Sequence, residues 1–295
     1  MTKQTLFSGI ATALATPMTQ SGEIDFDAYG RLIDWQIDSG IAGLVACGTT
    51  GEASTMTIDE HKAVISYTVK RAKGRVPVIA GTGGNCTRKA VELTQFACNA
   101  GASGCLIVTP YYNKATQIGL IEHYTAIADA SCVPIILYNV PGRTGCNLLP
   151  ETCERLAEHP RIVAVKEASG NISQIVSLFE KTGDVLDIYS GNDDQVVPIL
   201  AMGGAGCISV LSNIVPYETV TMFRMFSHGD VLGAAKMQCE LLPLIDSLFS
   251  EVNPIPVKAA LAKMGYGFDR LRLPLTSMSQ EKREILFKHM SKWGL

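Results

Sequence analysis

Apolar residues fall in eight short runs, separated by segments in which they recur at helical spacing. The runs begin near Gly9, Ala42, Val76, Gly104, Pro134, Ile162, Asp187 and Gly206. Inside them the apolar residues are contiguous, as in Leu44-Val45-Ala46, Val78-Ile79-Ala80 and Ile135-Ile136-Leu137. A strand with one wet face alternates and a strand covered on both faces does not, so these runs predict a parallel sheet under helices. The clearest intervening helix carries Ile172, Ile175, Val176 and Phe179 on one face. Asn171 can cap its start and Gly183 mark its end. Thr57 and Glu60 stand at capping-box spacing before another helix. Eight β-then-α units predict an α/β fold, a (β/α)8 TIM barrel, with an open doubly wound sheet as the alternative. After about residue 228 the strand signal stops, and 231–249, 255–264 and 279–292 read as helices. The expected organisation is a barrel over residues 1–228 and a C-terminal helical extension over 229–295.

Composition narrows the function classes. Of 295 residues 47% are hydrophobic and 18% charged, ample for a core and unlike a disordered chain. A net charge of −3 and a pI near 6.0 lack the basic footprint of a general nucleic-acid binder. Residues 195–217 carry no charge and are long enough to span a bilayer. Pro198, Gly203, Gly204, Gly206, Asn213 and Pro216 interrupt them, so a buried helix, a turn and a buried strand are expected there, and no membrane span. The start, with Lys3 and an apolar run from Leu6, imitates a signal peptide only weakly, because Ser8, Gly9 and Thr12 break the run. Nine cysteines, an odd number without a Cys-x-x-Cys pair, fit reduced thiols in a cytoplasm, most of them as small core residues. The five histidines are scattered; a metal site assembled from residues distant in sequence stays open.

In a barrel, chemistry sits where strands end. Those ends are polar here: Thr16-Pro17, 48–52 (Gly-Thr-Thr-Gly-Glu), 109–113 (Thr-Pro-Tyr-Tyr-Asn), Tyr138-Asn139, Lys166-Glu167, Ser190-Gly191-Asn192 and Ser209. Each alone is ordinary turn chemistry; their recurrence suggests one pocket. Lys166 directly follows Ile162-Val163-Ala164-Val165. Burial disfavours an ammonium and favours an amine able to attack a carbonyl. A lysine reaching to solvent or pairing with a distant acid is the plainer alternative. Strand alternation sends Glu167 to the opposite face. Tyr138 can pass a proton or merely fill the core. Thr49 and Thr50 lie where a Gly-bounded turn meets a helix start, able to hold a carboxylate or to cap. Arg143, on the loop after Tyr138, can grip a second carboxylate or stay solvated. Gly81-Thr82-Gly83-Gly84 starts like a dinucleotide loop, but Cys86 takes the place of its last glycine, and no Walker loop, Gly-x-Ser-x-Gly or His-Glu-x-x-His occurs.

With Lys166, Tyr138 and the threonine pair, the chain resembles the dihydrodipicolinate synthase (4-hydroxy-tetrahydrodipicolinate synthase) family of class I aldolase-like enzymes over nearly its whole length. The matching pieces are 48–52, 78–83, 109–113, 138–145, 166–168 and 253–258 (Asn-Pro-Ile-Pro-Val-Lys). The resemblance implies that Lys166 forms a Schiff base with pyruvate, that the enamine adds to L-aspartate 4-semialdehyde, and that the product cyclises to 4-hydroxy-tetrahydrodipicolinate, on the route to diaminopimelate and lysine. It implies no metal or other cofactor. Tyr138, Thr49 and Tyr112 would relay protons, Tyr112 from a neighbouring subunit, which implies a homotetramer built from tight dimers. Thr50 would hold the pyruvate carboxylate and Arg143 that of the semialdehyde; Gly191 and Ile208 match pocket-lining positions. His61, Asn85 and Tyr111 match an allosteric cleft for L-lysine. Ile58 and Lys89 depart from the His and Glu of lysine-inhibited members, so weak or absent feedback is expected. N-acetylneuraminate lyase and 2-keto-3-deoxy sugar acid aldolases share the Lys and Tyr; Arg143 followed by Thr144-Gly145 favours the semialdehyde. A non-catalytic ligand-sensing barrel is the rival from another class.

Overall fold

A computed structural model describes residues 5–295. Lys3, the charge at the leader-like start, lies outside the described residues. The chain order is β1 (Gly9–Ala13), α1 (Phe26–Asp38), β2 (Gly43–Ala46), α2 (Ile58–Ala72), β3 (Val78–Gly81), α3 (Thr87–Ala100), β4 (Gly104–Val108), α4 (Gln117–Asp129), β5 (Ile135–Asn139), α5 (Pro141–Thr144), α6 (Pro150–Leu156), β6 (Ile162–Glu167), α7 (Ile172–Thr182), β7 (Asp187–Ser190), α8 (Val196–Ala201), β8 (Gly206–Ser209), α9 (Pro216–Ser227), α10 (Val231–Leu248), α11 (Ile255–Lys263) and α12 (Gln280–Ser291). Single 3-10 turns stand at Ala53–Thr55, Asp193–Gln195 and Leu211–Asn213. Every strand starts within two residues of its expected position. The strands are parallel and close into one barrel, β8 pairing with β1 through Gly9 opposite Gly206. Closure excludes the doubly wound alternative.

Alternation along each strand divides the apolar residues into two layers. Outward-facing Leu44, Cys105, Ile135, Leu137 and Ile188 pack under the helices. Inward-facing Ala11, Val45, Ile79, Leu106, Ile136, Ala164, Tyr189 and Ile208 fill the barrel axis. Phe7 plugs its lower end, stacked on Tyr189 at 4.2 Å, whose hydroxyl donates to the Phe7 carbonyl. Strands covered on both sides therefore account for the unbroken apolar runs.

Local signals behave as expected in part. Thr57 and Glu60 make the reciprocal capping box of α2. Asn171 accepts from Gln174 N–H at the start of α7. Gly183 ends α7 at φ −58°, a right-handed conformation, so the helix stops without the left-handed turn that favours glycine. The buried stripe of α7 runs through Ile175, Leu178 and Thr182, while Ile172 and Val176 are exposed. Periodicity fixes the spacing of a stripe; which side of it meets the sheet depends on how the helix is seated. Residues 195–217 become α8, a turn, β8, the 3-10 turn at Leu211–Asn213 and the start of α9. Among the described residues no helix is long and apolar enough to cross a membrane.

The C-terminal helices fold back onto the barrel mouth. Lys258 of α11 forms a buried ion pair with Glu52 in the loop after β2. Their side chains are 2% and 0% exposed. Burial pulls the Lys258 ammonium pKa down, and Glu52 opposes that. Glu52 also accepts from Arg272 N–H at 3.3 Å, so one carboxylate joins the extension to the β2 loop.

Candidate active site

A cavity of about 40 Å³ opens where the strands end. A water needs roughly 10–15 Å³, so the space suits a ligand of a few heavy atoms. Its wall includes Thr49, Thr50, Tyr138, Arg143, Lys166 and Gly191, together with Asn192, Val210, Phe249 and Asn253.

Lys166 reaches it because of one irregularity. Strands β5 and β6 begin in register with Ile135 opposite Ile162, then shift so that Ile136 faces Ala164. The extra residue, Val163, is a bulge on β6. It brings Tyr138 opposite Lys166; an unbroken register would have set Val165 there. Both side chains then point inward, with Nζ 4.4 Å from the Tyr138 ring centroid, within cation–π range. Lys166 is 5% exposed, and among the described residues its Nζ has no ion-pair or hydrogen-bond partner. Gly191 lies against it: a Cβ there would stand 3.1 Å from Lys166 Cε and 2.6 Å from Ala168 Cβ.

Glu167 faces the other way, as alternation requires. Its carboxylate accepts from Asn139 Nδ2 at 3.0 Å and from Ser169 N–H at 2.6 Å. Burial raises its pKa and these donors work against the rise. Asp193, which no sequence pattern marked, is buried against the end of β8, near Lys166. It accepts from Ser209 Oγ and from the backbone N–H groups of Val210 and Leu211. Burial raises its pKa, while those donors and the nearby charge of Lys166 lower it. Asp193 thus fixes the end of β8 and adds negative potential on the Lys166 side.

Thr50 is buried and accepts from Asn253 Nδ2 at 3.0 Å. The Arg143 guanidinium donates to the Asn253 carbonyl at 3.5 Å. Arg143 sits on the one-turn helix α5, where a loop was expected, and the turn at Thr49-Thr50 leads into a 3-10 turn, with α2 starting only at Ile58. The Thr pair therefore lacks a true helix start at its back and offers only its own hydroxyls and loop N–H groups. Thr49 is exposed, at the junction of the cavity with a wider cleft. Ile208 lies deeper, in the axial apolar layer; Val210 lines the cavity in its stead. Tyr112 is 89% exposed at φ +74° and does not line its own chain's cavity.

The adjoining cleft, about 530 Å³, is lined by His61, Asn85 and Tyr111 and by Ile58 and Lys89. It shares Thr49, Tyr138 and Arg143 with the cavity. His61 Nε2 donates to the Gly81 carbonyl at 2.8 Å, and burial lowers its pKa. Phe249 and Asn253, on the extension, are pocket residues that no local pattern identified. The Asn-Pro-Ile-Pro break between α10 and α11 was the available signal, because it forces a loop that carries a polar side chain to the mouth.

The chain matches the model of the dihydrodipicolinate synthetase family over residues 6–292. It belongs to that family. It is 51% identical over 290 residues to the 4-hydroxy-tetrahydrodipicolinate synthase of Caldicellulosiruptor saccharolyticus, covering 98% of each chain. It is 50% identical over 293 residues to that of Acetivibrio thermocellus, covering 99% of each. Among solved structures, the dihydrodipicolinate synthase from Aquifex aeolicus superposes with a TM-score of 0.96 at 43% identity, over 98% of this chain and 99% of that one. In this member of the family, each of the six matched sequence pieces supplies wall residues to the cavity or the cleft. Pieces that are far apart in sequence and individually unremarkable converge on one mouth.

Proposed function

We propose that the protein condenses pyruvate with L-aspartate 4-semialdehyde to 4-hydroxy-tetrahydrodipicolinate, with Lys166 as the Schiff-base lysine. The observation that carries this is the inward, unpaired Lys166 beside Tyr138 at the floor of a polar-rimmed cavity. The Lys166 amine adds to the pyruvate ketone, and loss of water gives the iminium. Loss of a methyl proton gives the enamine, whose carbon attacks the aldehyde of the second substrate. The amino group of that substrate then displaces Lys166 and closes the ring. The iminium acts as the electron sink, so the step needs no cofactor.

Tyr138, whose ring centroid stands 4.4 Å from Nζ, would move protons at the nitrogen, with Thr49 linking it outward. Tyr112, exposed on its own chain, would complete the relay in a neighbouring subunit of a homotetramer assembled from tight dimers. Thr50, held by Asn253, would bind the pyruvate carboxylate and Arg143 that of the semialdehyde, with Gly191 giving room. Ile208 supports the floor from below. We retain residues 1–228 as the catalytic barrel, 229–295 as its helical extension, and the cytoplasm as the site of action.

Borohydride reduction in the presence of pyruvate, followed by peptide mapping, tests the assignment. A pyruvate-derived adduct on Lys166 is expected, and Lys166→Ala should fold yet lose turnover by roughly 10³-fold or more. An active preparation whose Lys166 stays unmodified rejects it.

A further inference from the structure

Nine cysteines are free, and most are buried among apolar side chains. Two are not. Cys98 lies in the last turn of α3, and the exposed Cys132 in the turn between α4 and β5. Both are on the face where strands begin, opposite the cavity. The backbone N–H of Cys132 donates to Cys98 Sγ at 3.1 Å. Since N–Cα is about 1.46 Å, that sulfur lies within about 4.6 Å of the Cys132 Cα, a separation compatible with disulfide geometry. Ser131 Oγ stands 3.8 Å from the same sulfur.

We propose that Cys98 and Cys132 are a reversible dithiol–disulfide site that reacts with low-molecular-weight disulfides. The two sulfurs have different tasks. Burial raises the Cys98 thiol pKa, but hydrogen bonding from Cys132, including its backbone N–H, outweighs it, and the net shift is downward. The Cys132 thiol is raised, first by its hydrogen bond to Cys98. Cys98 is therefore the attacking thiolate and Cys132 the resolving thiol. Cys98 Sγ attacks one sulfur of the disulfide RS–SR and expels RS⁻, leaving Cys98 joined to SR. Cys132 loses its proton to water and attacks Cys98 Sγ, expelling the second RS⁻. Two protein thiols are oxidised, RS–SR is reduced to two RSH, and the released thiolates take up the two protons.

A soft-metal site is the competing use of paired thiols. Among the described residues no group of three or more His, Cys, Asp or Glu side chains could hold a metal, and two sulfurs alone fall short of the four ligands of a structural thiolate site. Cys98 is itself partly exposed, beside the exposed Cys132, so a small disulfide can approach its sulfur. Oxidation would tie the end of α3 to the turn that feeds β5, the strand whose other end carries Tyr138.

The test treats the full native chain with excess oxidised glutathione, quenches with acid, unfolds it, alkylates free thiols, and maps peptides by mass spectrometry. Expected is a loss of two hydrogens, seven alkylated cysteines out of nine, and one Cys98–Cys132 linked peptide pair that dithiothreitol reverses. Cys132→Ser should trap glutathione on Cys98, and Cys98→Ser should form no cross-link. Nine alkylated cysteines, a cross-link between other residues, or glutathione persisting on Cys98 of the unsubstituted chain would each overturn the proposal.

Discussion

Asn253, in the C-terminal extension, donates its amide N–H to the Thr50 hydroxyl in the loop after β2, at 3.0 Å across 203 residues of sequence. The bond orients a hydroxyl that lines the cavity. Its loss in Asn253→Ala removes about 1 kcal/mol of positioning. We expect the KM for pyruvate to rise roughly 5–10-fold, with a smaller change in kcat. Steady-state kinetics with each substrate varied separately check this, and an unchanged KM for pyruvate would dissociate Asn253 from the substrate.

Gly191 leaves no room for a side chain beside Lys166. In Gly191→Ala the new methyl meets Ala168 Cβ at 2.6 Å and Lys166 Cε at 3.1 Å. Overpacking costs about 1–3 kcal/mol, and displacement of the amine costs kcat about 10²-fold. Thermal melting and turnover on the same preparation separate the two effects.

The pair Lys258–Glu52 is sealed from water. Lys258→Met strands a buried carboxylate and should cost about 3–5 kcal/mol in urea unfolding. The double variant Glu52→Gln/Lys258→Met removes both charges and should recover most of that loss. A double variant no more stable than the single one would refute this account of the pair.

Glu60 gives an acid-sensitive contribution. The Arg272 guanidinium, donating at 2.8 Å, holds its carboxyl at about 2, against burial, which acts upward. A depressed folded pKa stabilises above the unfolded value, ~4.3, and that stability is lost as pH falls from there toward about 2. Glu60→Gln keeps the capping-box acceptor of α2 and loses the charge. We expect the variant to unfold earlier in urea than the parent at neutral pH, and the gap to close in acid. A gap independent of pH would mean the carboxylate charge contributes nothing.

Lys89 and Ile58 line the cleft beside His61, Asn85 and Tyr111. A cation there repels the ammonium groups of an amino-acid effector. Micromolar L-lysine should leave turnover unchanged, and Ile58→His with Lys89→Glu should make the enzyme sensitive. Inhibition of the unsubstituted protein in a coupled assay would contradict this.

Much of the barrel is legible locally. Unbroken apolar runs report strands covered on both faces, and the chain from 229 onward shows helical spacing without strand runs. Lys166 stands out because a charge directly after four apolar residues is costly unless it is used or solvated. What stayed hidden depends on where a segment docks: Ile172 and Val176 share a stripe with Ile175 yet remain outside, and Asp193 reads as an ordinary turn acid until Ser209 and the Val210 and Leu211 amides close on it.

Spacing and hydrophobic pattern, which act over a few residues, determined the eight strands, their order and the polar character of their ends. The partner of Lys166 was decided by folding. A one-residue bulge at Val163 shifts β6 against β5 and exchanges which side chain meets Tyr138, and pairing register is a property of two strands, not of either one. The closing of the cavity by Asn253 and Phe249, and the meeting of Cys98 with Cys132, likewise arise only when distant segments share space, because contact between them depends on the path of the whole chain.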